Sequence, residues 1–234
     1  MKKLAIFVEG YTEVLFLERF LPAICGVHKI VIEHKEIKGG GKKSKTPRRY
    51  STVKVTKPIT NEQYYVLIVD CGGDKLVAQN IKDEHLNLTT DGYSKIIGIR
   101  DVRPDFTHAD IPKLEINLRK YIKTKLIPVE FVLSVMEFEA WFLAEFTHFE
   151  KIDASLKIDL IKNNLGFDPS KDDMQARLEP QKDLNNCYSL ASKSYVKSDE
   201  STADALDYDH LYLEVQSKIP HLKKLIGCID MFFS

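Results

Sequence analysis

The chain has 234 residues, 44% hydrophobic and 29% charged, a profile expected of a soluble globular protein with one large domain or a domain bearing a helical appendage. Lysine plus arginine and aspartate plus glutamate balance at 34 each, so attraction to nucleic acid has to come from local segregation of charge. Four scattered cysteines, with no CxxC pair and no HxH or HExxH spacing among the histidines, argue against zinc and for reduced thiols in a cytoplasmic protein. No apolar stretch approaches a membrane span, and the run before Glu9 is too short for a signal peptide.

Residues 4–8 read as a short buried strand, followed directly by Glu9-Gly10-Tyr11-Thr12-Glu13 and a helical segment at 14–21. Gly10 is expected to permit a sharp turn, and Thr12 or Glu13 to satisfy N–H groups at the helix start. Residues 30–37 alternate as an edge strand would. From His34 to Lys57 the chain carries Lys35, Lys38, Lys42, Lys43, Lys45, Arg48, Arg49, Lys54 and Lys57 against Glu36 as the only acid. With Gly39-Gly40-Gly41 at its centre, this stretch (34–57) reads as a mobile basic loop suited to a phosphate backbone.

Residues 64–69 form a second strand candidate, running into Asp70-Cys71-Gly72-Gly73-Asp74 and a helix at 76–84. A third, 95–99, leads to Asp101, with Arg100 and Arg103 beside it, and a helix at 111–123 follows. A fourth, 129–135, runs into Met136-Glu137-Phe138-Glu139-Ala140-Trp141 and a helix at 138–145. Strands of about six residues alternating with helices predict an α/β fold with a mostly parallel central sheet over residues 1–150. Beyond 150 the segments 154–164, 182–194 and 208–219 read as helical, punctuated by Pro169, Pro180 and Pro220, and 151–234 is expected to be a helical region packed on the sheet.

Acids at the C-terminal ends of neighbouring parallel strands converge on one crevice, which is how phosphodiester chemistry gathers carboxylates around divalent ions about 4 Å apart. Glu9, Asp70, Asp74 and Asp101 are the natural set for Mg²⁺ or Mn²⁺, with Glu137 and Glu139 as secondary ligands. Glu9 and Glu13 are the catalytic candidates. Lys42, Lys43, Lys45, Arg48, Arg49 and Arg103 are candidates for guiding a nucleic-acid backbone. There is no GxSxG elbow and no GxxxxGK[ST] phosphate loop, so no nucleotide-hydrolysing motor is expected in the chain itself.

The turn Val8-Glu9-Gly10-Tyr11-Thr12-Glu13, the glycine-containing Val69–Asp74 segment and the acid after the third strand resemble the TOPRIM fold of topoisomerases, primases and OLD-family nucleases. The segment from Met136 to Glu145 and the tail from Ser201 to Phe232 are similar to small TOPRIM-like proteins found with bacterial phage-defence genes. Where the family has a second aspartate, this chain has Asp101-Val102-Arg103, which departs from the DxD pattern. The resemblance implies a Rossmann-like TOPRIM sheet and magnesium-dependent cleavage of DNA or RNA in phage defence, with an ATPase partner acting as sensor. The degenerate DxD keeps a second reading open, a non-catalytic subunit that binds an ATPase or nucleic acid. A homodimer is one open arrangement.

Overall fold

The computed structural model describes residues 1–26, 29–39, 47–58, 64–120 and 122–234. Its strands are β1 (Lys2–Val8), β2 (Ile30–Lys38), β3 (Arg49–Val55), β4 (Tyr64–Asp70), β5 (Lys95–Asp101) and β6 (Val129–Ser134). The helices are α1 (Tyr11–Cys25), α2 (Asp74–Thr90), α3 (Ile111–Arg119), α4 (Glu139–Ala144), α5 (His148–Ile152), α6 (Ile158–Leu165), α7 (Pro180–Ser189), α8 (Glu200–Ala205), α9 (Tyr208–Leu213) and α10 (Pro220–Phe233). They divide into two compact units: Met1–Arg100 with Pro112–Val132 and Ile229–Ser234, and Asp101–Ile111 with Leu133–Cys228. No helix among the described residues is long and apolar enough to cross a membrane.

The fold is α/β, with one sheet in the order β3-β2-β4-β1-β5-β6. β1 pairs parallel with β4 from Lys2↔Tyr64 to Val8↔Asp70, and with β5 from Leu4↔Lys95 to Phe7↔Gly98. These inner strands are buried on both faces, which is why they read as unbroken apolar runs such as Leu4–Val8. β2 also pairs parallel with β4, and β3 closes that side as an antiparallel edge with a register shift at His34/Lys35.

Two expectations change here. Residues 30–37 lie in an interior strand, β2, flanked on both sides. The end of the basic stretch read as a loop is a strand over Arg49–Val55; its side chains are largely exposed, as suits an edge, and no apolar face marks it in the sequence. Gly98 sets how closely α2 lies on the sheet. A Cβ there would stand 2.6 Å from Ile81 Cδ1 and 2.9 Å from Phe131 Cδ1.

The strand order sets where the connections part. The chain leaves β1 towards β2, across β4, and leaves β5 in the opposite direction, towards β6. Between the C-terminal ends of β1 and β5 the connections diverge, the switch point at which open α/β sheets bind ligands.

In the second unit, short helices surround a core of Phe138, Trp141, Phe142, Phe149 and Tyr188, all nearly or fully inaccessible. At its centre lies Glu145, fully buried, which accepts hydrogen bonds from the backbone N–H of Thr147 and Asp207 and pairs with His210 Nδ1 at 3.0 Å. Burial opposes its charge, yet the bonds from His148, Thr147 and His210 hold it below the usual carboxylate range.

Candidate metal centre

Glu9 follows β1 directly and Glu13 is the third residue of α1, so one turn of chain carries both carboxylates. Gly10 is extended at φ −159°, a conformation open to any residue, so the turn does not depend on a glycine. The Gly10 N–H donates to Glu13 Oε2 at 3.0 Å, and of the two capping candidates it is Glu13 that serves the helix start. Glycine is needed on the neighbouring turn, where Gly72 and Gly73 have φ of 71° and 146°. That turn is bound to β1 by Cys71 N–H to the Val8 carbonyl at 3.0 Å and Gly73 N–H to the Glu9 carbonyl at 2.8 Å.

Among the described residues, Glu9, Glu13 and Asp101 form a group able to hold a metal ion, one ligand oxygen from each lying within 4.8 Å of the others. Asp101 is the last residue of β5, and the β1–β5 pairing sets its place beside the end of β1. Glu13 and Asp101 are buried at 1% and 3% exposure, and Glu9 is intermediate. Three carboxylates at this spacing need positive charge or shared protons to coexist away from water. Glu9 Oε2 is buried without a hydrogen-bond partner. An all-oxygen donor set with one acceptor unclaimed fits a hard divalent ion such as Mg²⁺ or Mn²⁺.

The other predicted ligands lie elsewhere. Asp70, at the end of β4, accepts the Gly72 N–H at 2.8 Å, and its electrostatic neighbours are His34 and Glu36 on β2. Burial raises its pKa, opposed by the Gly72 bond. The topology explains why it stays apart from Asp101. In the sheet order β1 lies between β4 and β5, so the ends of β4 and β5 stand two strands apart. Asp74 opens α2, and its side chain lies outside the described residues.

Glu137 and Glu139 belong to the second unit. Met136, at φ 65°, makes a tight turn closed by the Glu137 N–H on the Val135 carbonyl at 3.1 Å. Glu137 then caps α7, accepting the Gln181 N–H at 2.8 Å, and pairs with Arg103 at 3.4 Å. Burial pushes its pKa up; the Gln181 bond opposes that and nearby Glu139 adds to it. Glu139 is fully buried, accepts the Tyr195 hydroxyl at 2.8 Å and has Lys197 at 3.9 Å. No motif linked these carboxylates to Gln181, Tyr195 or Lys197, because the partners lie some 40 to 60 residues away in sequence.

The basic candidates separate in the same way. Lys42, Lys43 and Lys45 lie outside the described residues. Arg48 pairs with Asp83 on α2 at 2.8 Å, and Arg103 reaches both Glu137 and Glu179, its guanidinium also donating to the Leu178 carbonyl. Lys38 pairs with Glu36 and Lys54 with Glu18, so much of the charge that looked uncompensated in sequence is balanced in space. Arg49 is exposed at the start of β3. Searches with the chain match no protein-family model, no curated protein and no solved structure.

Proposed function

We propose that the chain is a metal-dependent nuclease that hydrolyses phosphodiesters in DNA or RNA, with Mg²⁺ or Mn²⁺ held by Glu9, Glu13 and Asp101. The observation that carries this reading is the gathering of three acidic oxygens within 4.8 Å beside the switch point of the sheet. When bound, the ion supplies charge neutralisation at the phosphate and a more acidic water. Glu9, whose Oε2 has no hydrogen bond, accepts the proton of the attacking water. Glu13 and Asp101 hold negative charge in place, Glu13 anchored by the Gly10 N–H. The resemblance to TOPRIM nucleases supports the same chemistry and extends it to phage defence beside an ATPase partner.

The test is cleavage of plasmid, single-stranded DNA and tRNA with Mg²⁺ or Mn²⁺, comparing wild type with Glu9→Gln and Asp101→Asn. The expected loss is roughly 10²-fold or more. Unchanged cleavage in both variants would sink the assignment. A second reading, a non-catalytic subunit that binds an ATPase or nucleic acid, draws on Arg103. It stands where the DxD pattern has its second acid and is ion-paired to Glu137 and Glu179. Absence of both cleavage and metal-dependent heat on titration, with tight binding of an ATPase, would favour that alternative.

A further inference from the structure

The balance of 34 basic and 34 acidic residues hides a segregation along the sheet. Glu9, Asp70 and Asp101 stand at the C-terminal ends of β1, β4 and β5. The opposite rim, all of it in the first unit, is rich in lysine. Lys2 and Lys95 are the first residues of β1 and β5, and Lys29 immediately precedes β2. Lys123 and Lys125 lie in the turn that leads into β6, closed by the Leu126 N–H on the Lys123 carbonyl at 3.2 Å.

Backbone contacts join these positions into one edge. The Lys29 carbonyl accepts the Tyr64 N–H at 3.2 Å, and Tyr64 is the register partner of Lys2. The Lys3 carbonyl accepts the Ser94 N–H at 2.8 Å, next to Lys95, and the Ile96 N–H donates to the Pro128 carbonyl at 2.9 Å, just before β6. At the usual strand spacing the row from β2 to β6 spans about 19 Å. None of the five lysines makes an ion pair or a side-chain hydrogen bond among the described residues, and four of them are exposed. Lys3 donates to the Asp91 carbonyl at 3.0 Å, and Glu130 is held by Arg119 at 3.1 Å. Asp91 and Asp230, the latter in the helix whose Phe233 carbonyl accepts the Tyr64 hydroxyl, leave the balance of the rim positive. The last turns of α1 and α2, which end at this rim, carry no basic residue, so the lysines do not serve as helix caps.

We infer that the N-terminal rim of the sheet is a docking surface for a nucleic-acid phosphate backbone, held by Lys2, Lys29, Lys95, Lys123 and Lys125. Over that length a duplex presents about eleven phosphate charges, enough to meet all five. Lysine is a point charge that engages phosphates without reading bases, so the surface accepts any sequence. The choice of nucleic acid among polyanions rests on the proposed nuclease reading. β1 has seven residues, so this rim lies about 20 Å from Glu9. It anchors the polymer while another stretch of the same molecule reaches the carboxylates.

The experiment is fluorescence anisotropy of the full chain in EDTA, with a labelled mixed-sequence duplex of about twenty base pairs, between about 50 and 200 mM salt. Each lysine–phosphate contact contributes about 0.9 to the slope of log K against log salt. Lys2→Gln/Lys95→Gln/Lys125→Gln is therefore expected to flatten the slope by about 2.7 and to bind roughly tenfold or more weakly at the low-salt end, with an unchanged melting temperature. Lys29→Gln/Lys123→Gln, at two exposed positions, is an independent check, with an expected change of about 1.8. Lys151→Gln/Lys157→Gln/Lys171→Gln removes the same formal charge as the first variant from ion-paired positions in the second unit, and is expected to bind as wild type does. No binding by wild type, an equal loss in both triple variants, or capture by phosphatidylserine vesicles without binding of the duplex would overturn the inference. Because no metal is present, such a failure leaves the cleavage comparison with Glu9→Gln to be judged separately.

Discussion

The molecule keeps two groups of acids away from open solvent, and their surroundings differ. Glu137 and Glu139 carry their counter-charges in the chain, with Arg103 at 3.4 Å, Lys197 at 3.9 Å and the Tyr195 hydroxyl at 2.8 Å. Glu9, Glu13 and Asp101 instead bring three acidic oxygens within 4.8 Å of one another at a strand crevice. Buried carboxylates are therefore no indicator of metal by themselves. What marks the second group is the number and spacing of its acidic oxygens, three within reach of one ion.

The largest expected effect tests that division directly. Saturating Mn²⁺, at about a hundred times its Kd, is expected to stabilise wild type by about 2.7 kcal/mol. Asp101→Asn loses this stabilisation in a thermal melt, and Glu139→Gln keeps it. The opposite pattern would exchange the roles of the two groups.

Next in size, Glu139→Ala strands the Tyr195 hydroxyl and Lys197 against a buried void, and urea titration is expected to show a loss of about 3 kcal/mol. No change would mean that this pair contributes nothing to the fold. Gly98→Val forces a branched side chain against Ile81 and Phe131, with an expected cost of about 2 kcal/mol in the same assay.

A pH series sharpens the contrast within the second unit. Glu137 has a raised pKa, so the folded state binds its proton more tightly, and its contribution weakens as pH rises from the ordinary carboxylate value through the raised one. Glu145 has a lowered pKa; its contribution is full above the ordinary value and is lost as pH falls through the lowered one. Wild type minus Glu137→Gln and wild type minus Glu145→Gln should therefore slope in opposite directions with pH. Parallel slopes would contradict the assigned environments. The smallest effect is expected of Arg48→Ala, within about 0.5 kcal/mol, since its pair with Asp83 is partly exposed.

The inner strands were legible because burial on both faces leaves only apolar residues, as at 4–8 and 64–69. β3 was not, because an exposed edge strand lacks a buried apolar run, and its flanking lysines and arginines read as a loop. Glu9 and Asp101 could be placed at strand ends from sequence, yet Asp70 looked equivalent to them. Which strand ends meet depends on where the connections diverge, and that order is not written in local pattern. Glu13 reads from sequence both as a helix-start cap and as a catalytic candidate; its bond from the Gly10 N–H bears out the cap, and its nearness to Asp101 depends on the fold. A pocket in the second unit lined by His108 and Gln175 had no sequence signal, because its lining is drawn from residues 108, 135, 173, 175, 176, 220 and 221.

The hydrogen bond from the Gly73 amide to the Glu9 carbonyl turns one backbone proton into a listening post. Any cation that draws on the Glu9 carboxylate shifts the peptide to which that amide is tied. A ¹⁵N-labelled sample titrated with Mg²⁺ would then register occupancy at a glycine that contributes no ligand of its own, before any substrate is known.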